Sequence, residues 1–106
     1  MSVSEIICLL HKSVLERTYD LVPTVKNRNS RRKYGLTIFD IEDFLLKITV
    51  NDLYRGPVPD RDCLGEYLYV FTKEVIKGVV FYVKIKKDNG VYYDRIKIIS
   101  CHEAEY

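Results

Sequence analysis

The sequence predicts an α+β domain, with N-terminal helices packed on a C-terminal antiparallel β-meander, in one unit spanning residues 1–106. Three observations carry this. In the first half, apolar residues recur at three- and four-residue steps, the period of an amphipathic helix. From Glu66 onward the stretches "EYLYVFTKEV", "GVVFYVKIKK" and "VYYDRIKIIS" are rich in Tyr, Val, Ile and Phe and lack helix punctuation. The length of 106 residues suits one modest core, since a chain of this size buries roughly 60–70% of the surface it would expose unfolded.

The elements follow in order. "SVSEIICLLHKSVLER" is read as a helix whose stripe is Ile6, Ile7, Leu10, Val14 and Leu15, with Ser2 or Ser4 accepting from the first free amides. "YDLVPT" favours extended backbone, and Pro23 biases Val22 away from helix, so a short edge strand is expected. "NRNSRRKYGL" reads as a short basic helix or loop closed by Gly35. "TIFDIEDFLLKI" is the clearest helix. Thr37 and Asp40 form an approximate capping box, and Ile38, Ile41, Phe44, Leu45 and Ile48 line one side. "TVNDLYRG" repeats that pattern briefly to a stop at Gly56, and "PVPDRDCLG" is expected to be a loop. Asp88-Asn89-Gly90 signals a hairpin and Gly78 marks the other turn.

Composition narrows function little. Apolar residues make up 47% and charged residues 30%, which describes a globular chain, and nine tyrosines with no tryptophan leave much ring surface able to meet a polar ligand. A net charge of +2 does not imply a polyanion partner by itself. The distribution says more, because "KNRNSRRK" holds five bases and no acid. Cys8, Cys63 and Cys101 lie far apart with no CxxC pair, so zinc spacing is absent. An odd cysteine count, and an N-terminal apolar run too short for a signal peptide or membrane span, lead to the expectation of a reducing, cytoplasmic location.

In "VVFYVKIKK" the alternation is clean: Phe81, Val83 and Ile85 point one way, Tyr82, Lys84 and Lys86 the other. The second face is either an ordinary solvated one or a surface on which an aromatic ring stacks on bases while lysines hold phosphates. The last strand breaks parity. Ile96, Ile98, Ser100 and His102 share one side, while Arg95, Lys97, Ile99 and Cys101 share the other. A bulge or twist near Ile99 would resolve the conflict. Periodicity alone leaves open whether His102 shares a face with Tyr82.

"YGLTIFDIEDFLLKITVNDLYRGPVPDRD", then "GEYLYVFTKEVIKGVVFYVKIK" and the close "IISCHEAEY" together resemble the MqsR family of toxins, over roughly Val22 to Tyr106. The resemblance implies a RelE-like α+β fold and an endoribonuclease that cleaves messenger RNA in a type II toxin–antitoxin system, with no metal and no other cofactor. It also implies a tight antitoxin partner, zinc-binding with a helix-turn-helix in such systems. Carried over position by position, it assigns catalytic roles to Arg55 after "DLY", to Tyr82 and Lys84 in "FYVKIK", and to His102 near the C-terminus. A glutamine used in one branch aligns near Leu68, and Cys101 and Glu103 stand where many relatives carry Phe and Pro. A leucine cannot hydrogen-bond RNA, so a catalytically inactive RNA- or protein-binding module is the alternative.

The residue set suits the chemistry. Cleavage through the 2′-hydroxyl needs a base for that proton, an acid for the leaving 5′-oxygen and cations at the phosphorane. Imidazole exchanges protons near neutral pH, which suits His102. Arg55 and Lys84 can neutralise phosphate, and Tyr82 can orient it or donate a proton. Lys86, Arg31, Arg32 and Lys33 are expected to help bind RNA. Each residue also has a plainer reading. His102 caps a strand end, Arg55 pairs with Asp52, Asp60 or Asp62, Lys84 and Lys86 solvate a sheet face, and the basic run is a solvated charge run. Glu103 and Glu105 either pair with that run or serve as an alternative base. His11 is read as structural.

Overall fold

The computed structural model describes residues 1–89 and 94–105. Helix α1 covers Val3–Glu16, strand β1 Asp20–Leu21, α2 Val25–Lys33 and α3 Ile38–Leu46. A single 3₁₀ turn at Val50–Asp52 leads into β2 (Leu53–Pro59), β3 (Tyr67–Ile76), β4 (Val79–Asn89) and β5 (Asp94–Glu103). The five strands form one sheet in the order β1-β5-β4-β3-β2. Strands β3 to β5 are the predicted antiparallel meander, β2 extends it antiparallel beside β3, and β1 adds two residues in parallel beside β5, making the sheet mixed. Gly90 of the hairpin signal, and the first three residues of "VYYDRIKIIS", lie outside the described residues, while Asp88 and Asn89 close β4 and pair with Arg95 and Asp94.

Helix punctuation behaves as its chemistry dictates. Ser2 and Glu5 form a reciprocal capping box on α1, and Thr37 and Asp40 do so on α3. Helix α2 ends on Gly35 at φ 63°, where the amides of Leu36 and Gly35 donate to the carbonyls of Arg31 and Arg32. The α1 stripe is shifted from the expected one. Leu15 is 72% exposed, and Ser13 is buried in its stead, accepting from the Ile96 amide. At 3.6 residues per turn, Leu15 lies roughly 140° from Leu10, off the packed face. Ile6, Leu10, Ile41, Leu45 and Ile48 are fully buried against Phe71, Phe81, Val83, Ile85, Ile96 and Ile98 from one face of the sheet.

One stretch departs from expectation. The brief helical repeat is confined to the 3₁₀ turn with its Thr49/Asp52 capping box, and the expected loop to residues 60–66. Between them Leu53–Pro59 makes strand β2 instead, and the prolines at 57 and 59 lie inside it. An edge strand tolerates them because one row of its amides needs no partner. Its pairing with β3 shifts register twice, between Leu53 and Arg55 and between Arg55 and Val58. Gly56 permits the approach: its φ is 124°, and a Cβ there would stand 2.6 Å from the Leu68 carbonyl oxygen.

The parity conflict in β5 resolves as a bulge. Ile85 pairs with Ile98 and Lys84 with Ser100, so Ile99 has no partner across the ladder. Before it, Ile96 and Ile98 face the core. After it, Cys101 faces the core and Ser100 and His102 turn to the other side.

Asn27 of α2 holds this bulge. The residue is fully buried. Its Nδ2 donates to the carbonyls of Val22 (2.9 Å) and Ile99 (3.2 Å), and its Oδ1 accepts from the Cys101 amide (2.8 Å). Farther along, the Glu103 amide donates to Ser30 Oγ at 2.9 Å. Helix α2 thus takes over the edge of β5 where β1 ends, using side chains in place of a strand. Asn27→Ala leaves the Cys101 amide and the Ile99 carbonyl without these partners, so a loss of about 3 kcal/mol is expected from urea unfolding. A loss under about 1 kcal/mol would show that the bulge stands without this clasp.

Candidate functional site

The sheet face away from α1 and α3 carries the candidate residues in two cross-strand rows. Thr72, Tyr82 and His102 form one row, and Arg55, Val70, Lys84 and Ser100 the other. Adjacent strands lie about 4.8 Å apart, so neighbours within a row touch. The rings of Tyr82 and His102 stack at 5.6 Å between centroids and 19° between planes. Together with Lys84 and Ser100 they line a cavity of about 500 Å³ whose far wall is the first turn of α2. The bulge makes this possible, since it places His102 beside Tyr82.

Hydrogen bonding sets the state of the imidazole. His102 Nδ1 lies 2.9 Å from its neighbour's carbonyl oxygen, on Glu103. A carbonyl only accepts, so that bond places the proton on Nδ1, and the neutral ring carries its lone pair on Nε2. The Glu103 carboxylate is engaged elsewhere. It accepts from Lys33 Nζ at 2.8 Å and from the Tyr34 hydroxyl. These bonds, Lys33 first and then Tyr34, hold its pKa below the ordinary value of 4.5. Glu105 pairs with Lys26 at 3.4 Å. Both acids thus pair with lysines at the two ends of the basic helix. Cys101 is buried in the core, and burial pushes its thiol pKa up to about 12, so it is not a nucleophile.

The remaining candidates separate. Arg55 is exposed on β2 and makes no ion pair among the described residues. Of its alternative partners, Asp52 is taken by Lys73 and Asp60 by Lys86, and Asp62, which lines the same cavity, makes no ion pair with it. Arg55 lines a second cavity of about 610 Å³ with Leu68, and Lys84 lines both cavities. Lys86, expected to bind RNA, is only 7% exposed and lies 3.0 Å from Asp60 and 3.5 Å from Glu66. Burial works to lower its pKa, but the Asp60 hydrogen bond and the nearby carboxylates outweigh this and leave it raised. Its charge is spent inside the protein, holding the 60–66 loop on the sheet. Lys33 is bound to Glu103 and borders a smaller cavity of about 230 Å³ that also touches His102. Arg32 is exposed and Arg31 half-buried on the same helix.

Lys26, Thr24 and Ser100 line the Tyr82–His102 cavity without having been singled out in the sequence. Lys26 had one available signal, its place at the head of the basic run. Among the described residues, no helix is long and apolar enough to cross a membrane, and no group of three or more His, Cys, Asp or Glu side chains is placed to hold a metal ion. Comparison with protein-family profiles, curated proteins and solved structures finds no match.

The Glu103 contacts predict a pH dependence with a definite sign. Its folded pKa is depressed, so its contribution is present above about 4.5 and is lost as pH falls through the lower folded value. Acid titrations of stability should therefore lose part of their slope in Glu103→Gln. An unchanged acid limb in that variant would count against the assignment.

Proposed function

We propose that this face cleaves RNA through the ribose 2′-hydroxyl, and that the chain is a toxin of the MqsR kind, an mRNA interferase silenced by a cognate antitoxin. The observation that carries the cleavage reading is the cross-strand pairing of Tyr82 with His102, next to Lys84 in one open cavity. The toxin and antitoxin part rests on the sequence resemblance.

The steps balance as an internal transesterification. His102 Nε2 takes the proton of the 2′-hydroxyl. The 2′-oxygen then bonds to phosphorus as the bond to the 5′-oxygen breaks. The leaving oxygen receives a proton from the imidazolium or from the Tyr82 phenol, giving a 2′,3′-cyclic phosphate and a 5′-hydroxyl. Lys84, with no ion pair among the described residues, meets the charge that builds on the phosphorane. The Tyr82–His102 stack restricts the ring's rotation, which favours a fixed direction for Nε2.

The second reading, a binding module without catalysis, draws on Leu68. This residue lines the adjoining cavity and offers no group to hydrogen-bond RNA.

Purified protein incubated with a structured mRNA in EDTA tests the choice. Cleavage is expected from the wild type, with rates about 10²- to 10⁴-fold lower in His102→Ala and clearly reduced in Lys84→Ala. Equal background from all three would remove the catalytic assignment. RNA binding without cleavage would favour the binding module. Growth arrest on expression, relieved by a co-expressed antitoxin, tests the toxin part, and unimpaired growth would count against it.

A further inference from the structure

The cavity beside Arg55 has a character of its own. Its floor is apolar: Val58 and Leu68 are cross-strand partners, half-buried on the open face, with Pro59 next to them. Its rim is cationic. Arg55, Arg61 and Lys84 border it and make no ion pair among the described residues, while the charge of Asp60 is neutralised by Lys86, leaving Asp62 as the acid on that wall. The wall is pre-formed. The Asp60 amide donates to the Glu66 carbonyl at 2.9 Å, the Asp62 amide to Asp60 Oδ1 at 3.0 Å, and Lys86 ties Asp60 and Glu66 to β4. The volume of about 610 Å³ falls within the range of small-ligand sites.

An apolar floor under a cationic rim fits a planar base joined to a phosphate. Lys84 faces this cleft and the Tyr82–His102 cavity alike, so one extended strand can occupy both. We infer that the cleft formed by Arg55, Val58 and Leu68 is a nucleotide subsite. It seats the base next to the cleaved phosphodiester on the Val58–Leu68 floor, with Arg55 on a flanking phosphate. The inference rests on reading the open face as RNA-binding, and it moves Arg55 from the reacting phosphate to the neighbouring nucleotide. The floor side chains have no donor or acceptor, so the subsite selects by ring size and stacking, not by a hydrogen-bond pattern.

The test uses uncleavable 2′-O-methyl hexa-adenylate and hexa-uridylate, with inorganic polyphosphate as the charge-only probe. Binding is read by anisotropy and by backbone amide shifts of the ¹⁵N-labelled full chain. Each of Leu68→Ser and Arg55→Ala should weaken oligonucleotide binding about tenfold. The adenylate should bind more tightly than the uridylate, and the amides of Val58, Leu68 and Val70 should shift in the wild type. Arg55 is exposed, so its variant remains informative if Leu68→Ser unfolds. Polyphosphate should respond to Arg55→Ala but not to Leu68→Ser. Wild-type affinity in both variants would overturn the subsite, as would shifts confined to the His102 cavity or equal loss of polyphosphate binding in Leu68→Ser. The two readings fail separately. Subsite binding without any cleavage removes the catalytic proposal alone, and cleavage with unaffected binding in both variants removes the subsite alone.

Discussion

The carboxamide of Asn27 decides which way the end of β5 faces. Strand side chains alternate, so one extra residue reverses every side chain beyond it. Without the bulge at Ile99, His102 would point into the core and Cys101 would stand beside Tyr82. A strand end does not keep such an insertion unaided, because the unpaired residue interrupts the ladder. Asn27 supplies two donors and an acceptor to the carbonyls of Val22 and Ile99 and the amide of Cys101, which are the groups the disrupted edge leaves over. The neutral amide is the side chain that does this without bringing charge into a buried place.

The cations divide into those the fold uses and those it leaves free. Lys86, Lys33 and Lys26 are matched to Asp60 with Glu66, to Glu103, and to Glu105. Lys84, Arg55 and Arg61 are unmatched among the described residues and border the open face. Density of charge along the chain is therefore a poor guide here. The basic run "KNRNSRRK" serves first to clasp the C-terminal strand, and its acidic partners lie at the far end of the chain.

Much of this architecture was legible in the residues. The stripes Ile6-Leu10-Val14 and Ile41-Phe44-Leu45-Ile48, the capping pairs and the alternation of Phe81, Val83 and Ile85 each express one local period. What escaped depends on partners distant in sequence. Strand β2 was hidden because its two prolines read as loop, and only the β3 edge shows why they are tolerated. Lys86 looked like a surface cation until the 60–66 loop brought two carboxylates to it. Broken parity announced a bulge near Ile99, but its position needed the register with β4 and its cause needed Asn27, 72 residues away from Ile99.

Helix α2 also has a thermodynamic character unlike the rest of the domain. Within it only Asn27 and Ser30 are buried, both polar, so hydrogen bonds and ion pairs hold it in place more than apolar area does. Opening a segment that uncovers little apolar surface carries a small heat-capacity change, whereas melting the core carries a large one. The stability of the clasp therefore varies almost linearly with temperature while that of the core curves. Cooling, which erodes the hydrophobic contribution, weakens the core relative to the element that aims His102.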